Sequence, residues 1–278
     1  MSQITATAVK QLREKTGLPM MDCKSALQES GGDETLAIEI LRKRGAALIT
    51  TRSDRETAFG RFGLYTGIDR ASGAIVELKC ESAPVAANEE FIRLADDLAQ
   101  QLATGPGAKT ADELLDQPSP SQRGKTLREQ KDELFNRIRE VFNVGRMHRF
   151  SGSTGGYSHN LGTVAGVLIS VEGGNDQAAK DVCMHVAAMR PTSLTKEELD
   201  PALVAKEREI LRAAALGEGK PESIVDKMVD GRLRNFFAER VLLEQLFVKD
   251  DKQTVGKFAE SHQMKIKQFI HWVLGETA

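Results

Sequence analysis

The 278-residue chain carries 38 basic and 40 acidic side chains, a net charge of −2, so a dominant nucleic-acid role, which needs a basic surface, is not indicated. With 28% charged and 40% hydrophobic residues it has the balance of an ordinary globular protein, long enough for two domains or one with appendages. No segment approaches about 18 uninterrupted apolar residues, and Met1-Ser2-Gln3-Ile4 lacks the apolar stretch of a signal peptide, so neither a membrane span nor a leader is expected.

Residues 1–50 read as three short helices. Thr5 caps the first, which carries Val9 and Leu12 and meets Gly17 just past its end. Pro19 to Leu27 forms the second. Gly31-Gly32 turns the chain, and Asp33 caps the third, whose apolar face is Leu36, Ala37, Ile40 and Leu41. Arg42-Lys43-Arg44 is the densest basic run. It fits a helix C-terminus, where cations oppose the dipole, with Gly45 following. Three helices in so few residues make a thin-cored bundle of the kind used for binding. Met20 and Met21 stand at its first corner; methionine suits either core or contact, and the core is the expectation.

The polar residues 51–60 make a linker. Phe62 to Ile68 and Ala74 to Cys80 then form a β-hairpin turning at Asp69-Arg70-Ala71-Ser72-Gly73. In its second strand Ile75, Val76 and Leu78 sit beside Glu77 and Lys79. That strand breaks at Ser82-Ala83-Pro84 into a helix over 88–103, with Phe91, Leu94, Ala95, Leu98 and Leu102 at helical spacing. Ser82 suits an N-cap and Pro84 a first helical turn. By spacing alone this is an ordinary strand-to-helix connection that puts a few side chains on a protruding corner. A Gly/Pro/Ser-rich loop covers 104–124, with a short helical piece at 111–116. Leu127 to Phe142 follows as a strong helix with Leu134, Ile138 and Val141 on one stripe.

Val144 to Phe150 returns to strand. Ser151-Gly152-Ser153-Thr154-Gly155-Gly156 reads as a mobile hairpin loop, leading to a second strand, Val164 to Val171, closed by Gly173-Gly174. Ala178 to Met189 is helical and stopped by Pro191. Strand–strand–helix thus occurs twice, near 61–103 and 144–189, without a visible sequence repeat. Over 195–240 the spacing predicts two helices joined by a sharp reversal. Thr195 and Glu198 suggest a capping box. Leu203, Ile210, Leu211 and Ala214 form one face, Gly217, Gly219 and Pro221 the reversal, and Ile224, Val225, Met228 and Leu233 the returning face. Thr254 caps a last short helix, and Met264 to Leu274 alternates as a closing strand.

Catalytic signals are weak. Gly124-Lys125-Thr126 ends like a phosphate loop, but that pattern needs a glycine at 119, where Ser119 stands, and a preceding strand, which Pro118 and Pro120 spoil. His148 and His159 flank the glycine-rich loop without a third ligand, and His185 lies on an apolar helix where a core histidine fits. Cys23, Cys80 and Cys183 are far apart and odd in number, which suggests neither a zinc site nor a disulfide framework and suits a reducing cytoplasm. No metal or cofactor is expected. A dispersed enzyme site using His148, His159 or a cysteine stays open as a further reading, since such sites leave no short motif.

Several runs do carry a resemblance. Leu12-Arg13-Glu14-Lys15-Thr16-Gly17-Leu18-Pro19-Met20-Met21-Asp22-Cys23-Lys24-Ser25-Ala26-Leu27 and Glu77 to Phe91 are followed, in order, by Met184-His185-Val186-Ala187-Ala188, Gly219-Lys220-Pro221, Lys227-Met228-Val229-Asp230-Gly231-Arg232 and Lys252-Gln253-Thr254-Val255-Gly256. Over nearly its whole length the chain resembles the bacterial elongation factor Ts family, nucleotide-exchange factors for the translation GTPase elongation factor Tu. Pro19 stands where the family usually has a small residue. At the centre of the second run the family has Thr-Asp-Phe-Val, and this chain has Ser82-Ala83-Pro84-Val85.

The resemblance implies an α+β fold. It would comprise an N-terminal three-helix module of ubiquitin-associated type (UBA-like) over 1–50, a linker over 51–60, and a core of two small antiparallel β subdomains packed with helices. These subdomains would cover 61–143 and 144–278, the second including the antiparallel helical hairpin of 195–240, projecting as a coiled coil. Members with a longer tail carry a further helix that touches the GTPase; with this chain stopping at Ala278, that contact is expected to be missing. The implied protein is cytoplasmic and not an enzyme. Its partner is elongation factor Tu, with no direct nucleic acid or membrane. Leu12, Arg13, Met20 and Met21 would dock the module on the GTPase. Ile138, His159 and Ser82, Ala83, Pro84 and Val85 would face the nucleotide side, the last four at the magnesium site. The family's aspartate and phenylalanine are associated with disturbing that magnesium by intrusion. Ala83 has no carboxylate, and Pro84 is a smaller, rigid wedge. Either exchange persists through the rest of the interface, or the chain binds and stabilises the same GTPase without exchange.

Overall fold

The computed structural model describes residues 4–52, 54–218 and 221–276; Ser53 of the expected linker, and Gly219 and Lys220 of the expected reversal and of one matching run, lie outside the described residues. In chain order the helices and strands are α1 (Ala6–Thr16), α2 (Met20–Glu29), α3 (Glu34–Arg52), β1 (Phe59–Tyr65), β2 (Ser72–Cys80), α4 (Ala83–Ala86), α5 (Glu89–Thr104), α6 (Ala111–Leu115), α7 (Leu127–Ile138), β3 (Asn143–Ser151), β4 (Thr154–His159), β5 (Ala165–Gly173), α8 (Asp176–Met189), α9 (Pro201–Gly217), α10 (Glu222–Arg240), β6 (Leu246–Phe247), β7 (Asp250–Thr254), α11 (Val255–Ser261) and β8 (Met264–Val273). Helices and antiparallel sheet together make an α+β protein. Two compact units divide it: Met1–Gly63 with Val76–His148 and Leu274–Thr277, and Leu64–Ile75 with Arg149–Val273.

In the first unit, Thr5 Oγ1 accepts from Ala8 N at 3.2 Å to start α1, and Gly17, at φ 69°, ends it. Asp33 Oδ1 accepts from Leu36 N at the start of α3. Val9, Leu12, Leu18, Cys23, Ala26, Leu27, Ala37 and Leu41 close the small core, while Leu36 turns outward. α3 does not stop at Gly45 but continues to Arg52, through the first residues of the expected linker. Gly45 serves packing instead of termination: a Cβ there would lie 2.1 Å from Asn136 Oδ1 of α7. Arg42-Lys43-Arg44 is therefore mid-helix rather than at a C-terminus, with Arg44 bound to Glu29 and Ser25.

α5 buries the expected Phe91, Leu94, Ala95, Leu98 and Leu102, and Asn88 caps it. α7 begins with a capping box between Thr126 and Glu129, and Lys125 pairs with Glu133 at 2.5 Å. The Gly124-Lys125-Thr126 run is thus a helix start. α7 ends at Ile138, four residues short of the sequence expectation, because Arg139 adopts the left-handed conformation with φ 68°. Val141 and Phe142 follow as buried residues outside the helix. β3 then joins β2 in a sheet of order β1-β2-β3, and does not pair with 164–171 as the spacing suggests. Both edges of β5 are taken, by β4 and β8, and an ion pair ties β3 to β2. Glu77 is buried, and Arg146 of β3 binds its carboxylate through both guanidinium and backbone N–H groups.

In the second unit the sheet order is β4-β5-β8, antiparallel throughout, with Thr154 opposite Ser170 and Ala165 opposite Val273. The expected mobile loop is in part strand: Gly155 and Gly156 lie in β4. A Cβ on Gly155 would sit 2.5 Å from Ala179 Cβ, so the glycine admits α8 close to the sheet. Val167, Ile169, Val182, Val186 and Phe258 are among the residues filling the space between sheet and helices. Thr254 caps α11 by accepting from Lys257 N.

α9 and α10 run back against each other: Arg208 pairs with Asp230 and Arg212 with Asp226. Thr195 makes no side-chain cap bond, and only a 3-10 turn follows it at Lys196–Glu198. Asp200, whose Oδ1 accepts from Ala202 N, starts α9 instead. The seam keeps Leu211, Val225 and Leu233 of the expected faces and replaces the others with neighbouring residues. Val204, Leu211 and Ala215 pack on Val225, Val229, Leu233 and Phe236, whereas Leu203, Ile210, Ala214 and Ile224 are exposed.

Candidate partner-binding surface

β2 ends at Cys80, and the chain breaks into the single turn α4. Ser82 stands at its N-cap position in extended backbone but makes no cap bond; its Oγ donates to Glu140 Oε1 at 2.7 Å. Glu81 is also engaged. One carboxylate oxygen accepts from Val141 N at 2.8 Å and the other pairs with Arg55 at 3.1 Å. Arg61 donates to Ala86 O at 3.3 Å. The corner is thus tied down from behind by polar contacts on three segments. Ala83 and Pro84 point outward, Ser82 is half-buried, and Val85 is buried in the core.

Met20 and Met21, expected in the core, are 50% and 69% exposed on the first turn of α2. The small core is already closed by Leu12, Leu18, Cys23 and Leu27. Leu12 is wholly buried and holds the module together from inside, while Arg13 beside it is exposed. Ile138 is half-buried at the end of α7. The αL conformation of the next residue, Arg139, costs about 1 kcal/mol for a side chain bearing a Cβ. Arg139 also reaches Asp22 of α2, one residue past the methionines. Nothing in the sequence pattern marks Arg139, Glu140 or Asp22; the only available signal is that Asp22 is an acid in a helix first turn.

His159, in the second unit, ends β4 opposite Ala165, with Nδ1 3.0 Å from Tyr157 Oη. It lines an open cavity of about 480 Å³ with Tyr157, Thr163, Met184, Ala188 and Val248. His148, half-buried on β3, is held below the usual imidazole range by burial. His185 is fully buried, as expected of a core histidine. Its Nδ1 accepts from Val248 N at 3.1 Å, which puts the proton on Nε2, 2.9 Å from Gln245 Oε1. Burial pushes the Cys80 thiol up to about 12, with smaller contributions from the Glu140 and Glu81 carboxylates, and raises the Cys183 thiol further still. Neither is a thiolate nucleophile near neutrality. Among the described residues no group of three or more His, Cys, Asp or Glu side chains is placed to hold a metal, and no helix is long and apolar enough to cross a membrane.

These features describe an α+β protein with a braced helix-start corner and an exposed methionine pair in its first unit. The family described as Elongation factor TS matches residues 81–276. Elongation factor Ts of Clostridium botulinum (strain Alaska E43 / Type E3) is 42% identical over 287 aligned positions, covering 98% of this chain and 93% of that protein. Those of Methylococcus capsulatus and Hyphomonas neptunium are each 40% identical, covering 98% and 99% of this chain and 92% and 93% of theirs. The chain belongs to the elongation factor Ts family of translation elongation factors.

Proposed function

We propose that this chain is the nucleotide-exchange factor for elongation factor Tu, binding its GDP form and promoting release of GDP and its replacement by GTP. The observation that carries the reading is the corner: Ala83 and Pro84 stand outward on a turn whose flanking Ser82 and Glu81 are bonded to Glu140, Val141 and Arg55. A rigid protrusion of this kind suits intrusion into a neighbouring site, because little ordering is left to be done on association. Exchange makes and breaks no covalent bond, so the reading assigns no catalytic residue. A GTPase holds GDP through phosphate-loop N–H groups and a magnesium ion. A protein that binds the nucleotide-free form more tightly must weaken nucleotide binding by the same factor.

In this reading the exposed Met20, Met21 and Arg13 make the docking contact, and Leu12 supports them from the core. Ala83 and Pro84 approach the magnesium site, with Ser82 and Val85 as their support rather than as outward contacts. Ile138 and His159 complete the nucleotide-facing set. Residues 1–50 act as a UBA-like docking module and 51–60 as its linker. Residues 61–143 and 144–278 are the two core subdomains, and the α9–α10 hairpin is a short coiled coil. The setting is the cytoplasm.

The test is release of fluorescent GDP from the cognate GTPase, with the native chain and with Ala83→Asp/Pro84→Phe. Stimulation by the native chain is expected, with a faster rate for the variant if intrusion at the magnesium site limits exchange. A native chain that binds the GTPase yet leaves GDP release unchanged would turn the assignment into that of a non-exchanging partner.

A further inference from the structure

We propose that Arg139 is a positioning residue, a latch that orients the methionine corner of α2 against the end of α7 through Asp22; the proposal rests on the exchange reading above. Arg139 is one of three non-glycine residues with positive φ among those described. A helix cap in this conformation accepts glycine without steric cost. The arginine side chain adds one thing that glycine cannot: its Nη2 meets Asp22 Oδ2 at 2.5 Å. Its carbonyl meanwhile accepts from Arg52 Nη1 at 2.6 Å. A single left-handed residue therefore grips the first turn of α2 with its side chain and the last turn of α3 with its backbone.

Stability does not account for this arrangement. The paired side chains are 27% and 40% exposed, a setting in which ion pairs contribute little. The backbone conformation works against any residue with a Cβ. Nor is the pair needed to attach the three helices, because α3 already packs on α7 at Gly45. What remains is orientation. Asp22 follows the two exposed methionines, while Arg139 follows Ile138 and precedes Glu140, which holds Ser82. The two outward features, the methionines and the Ala83-Pro84 turn, are thereby joined by a continuous bonded path. An interface that presents both at once binds better when their spacing is fixed beforehand. A strained residue with no local stabilising return is the kind that functional geometry retains.

The test uses the full chain in the GDP-release assay. Arg139→Gly relieves the strain and keeps the helix cap, so its thermal midpoint should equal or exceed the native one. The concentration of factor giving half-maximal release should nevertheless rise roughly two- to fivefold, with the rate at saturation unchanged. Asp22→Asn should give the same rise from the other side of the pair, and carries the test if Arg139→Gly fails to fold. The exchange of charges, Asp22→Arg with Arg139→Asp, should return the half-maximal concentration toward the native value, since aspartate tolerates the left-handed region. A merely structural role would move the midpoint and not the half-maximal concentration. Stimulation by the native chain that is matched by Arg139→Gly and Asp22→Asn would overturn the latch alone, as would failure of the charge exchange to recover. No stimulation by the native chain would remove the exchange reading and the latch with it.

Discussion

Glu77→Gln measures what holds β3 in the first sheet. Glu77 is 4% exposed, and its carboxylate takes three hydrogen bonds from Arg146: backbone N–H at 3.2 Å, Nε at 3.1 Å and Nη2 at 2.7 Å. A carboxamide has the same shape but no charge, and its NH2 would face one of those donors. Arg146, whose side chain is 20% exposed, would keep a largely desolvated charge. The backbone has no room to adjust, because even a Cβ on Gly145 would come within 2.4 Å of Glu77 Oε2. Breaking one side of a buried pair costs about 3–5 kcal/mol, and the partial exposure of Arg146 places this case near about 3 kcal/mol. Urea unfolding followed by circular dichroism should show a lower midpoint with an unchanged slope. Replacing both residues, Glu77→Met with Arg146→Met, should recover most of the loss, since no unpaired charge remains. A Glu77→Gln variant within about 0.5 kcal/mol of native, a change as small as an ordinary surface substitution, would refute the assignment of the pair as the determinant of β3 placement.

Burial holds both His185 and His148 below the ordinary imidazole range, with Gln245 partly opposing the effect at His185. The unfolded chain then binds protons more tightly, so stability is present above the unfolded value of about 6.5 and declines as pH falls through it. The urea midpoint should be lower at pH 5.5 than at 7.5, and a His185→Phe variant with the same pH slope would exclude His185 as a source. Gly155→Val should destabilise by about 1–3 kcal/mol, since its Cβ would fall 2.5 Å from Ala179 Cβ; a thermal midpoint equal to native would show that α8 can retreat. Gly231→Ala, in open space inside α10, should stabilise the chain by the helix-propensity difference of about 1 kcal/mol and so raise the midpoint. A lower midpoint would mean that the glycine has a role in the folded chain beyond an open helical position.

Elements with strong caps and a one-sided apolar stripe were legible. Thr5, Asp33 and Thr254 cap the helices they were expected to cap, and α5 buries the stripe from Phe91 to Leu102. Misreadings cluster where tertiary packing uses a residue against its local preference. Gly45 reads as a stop and is a contact point for α7. Gly155 and Gly156 read as a loop and form strand, because a small residue there lets α8 approach. α7 reads as running to Phe142, because Val141 and Phe142 continue an apolar pattern that a left-handed Arg139 interrupts. In α9 the expected face is met at Leu211, while Leu203, Ile210 and Ala214 give way to the neighbouring Val204 and Ala215. Leu203 and Val204, or Ile210 and Leu211, offer adjacent apolar residues, and only the partner helix decides between them.

The candidate surface was legible in outline for a related reason. A strand ending at Cys80 and a helix starting near Asn88 force a corner between them, and Pro84 fits its first turn. Which side chains face out is a different question, and four residues of helix are too few for periodicity to answer it. Packing answers it by drawing in Val85 and leaving Ala83 and Pro84 outside. The methionines show the converse. Apolar character placed them in a core, but a three-helix module of this size has room for only a few large side chains, and Leu12, Leu18 and Leu27 already occupy it. Methionine exposed beside a filled core is surplus to that core, which is why the proposed reading assigns it to the docking contact. The bonds from Asp22 to Arg139 and from Glu140 to Ser82 bring that surplus into one frame with the corner. They join residues more than fifty positions apart, which no local sequence pattern reports.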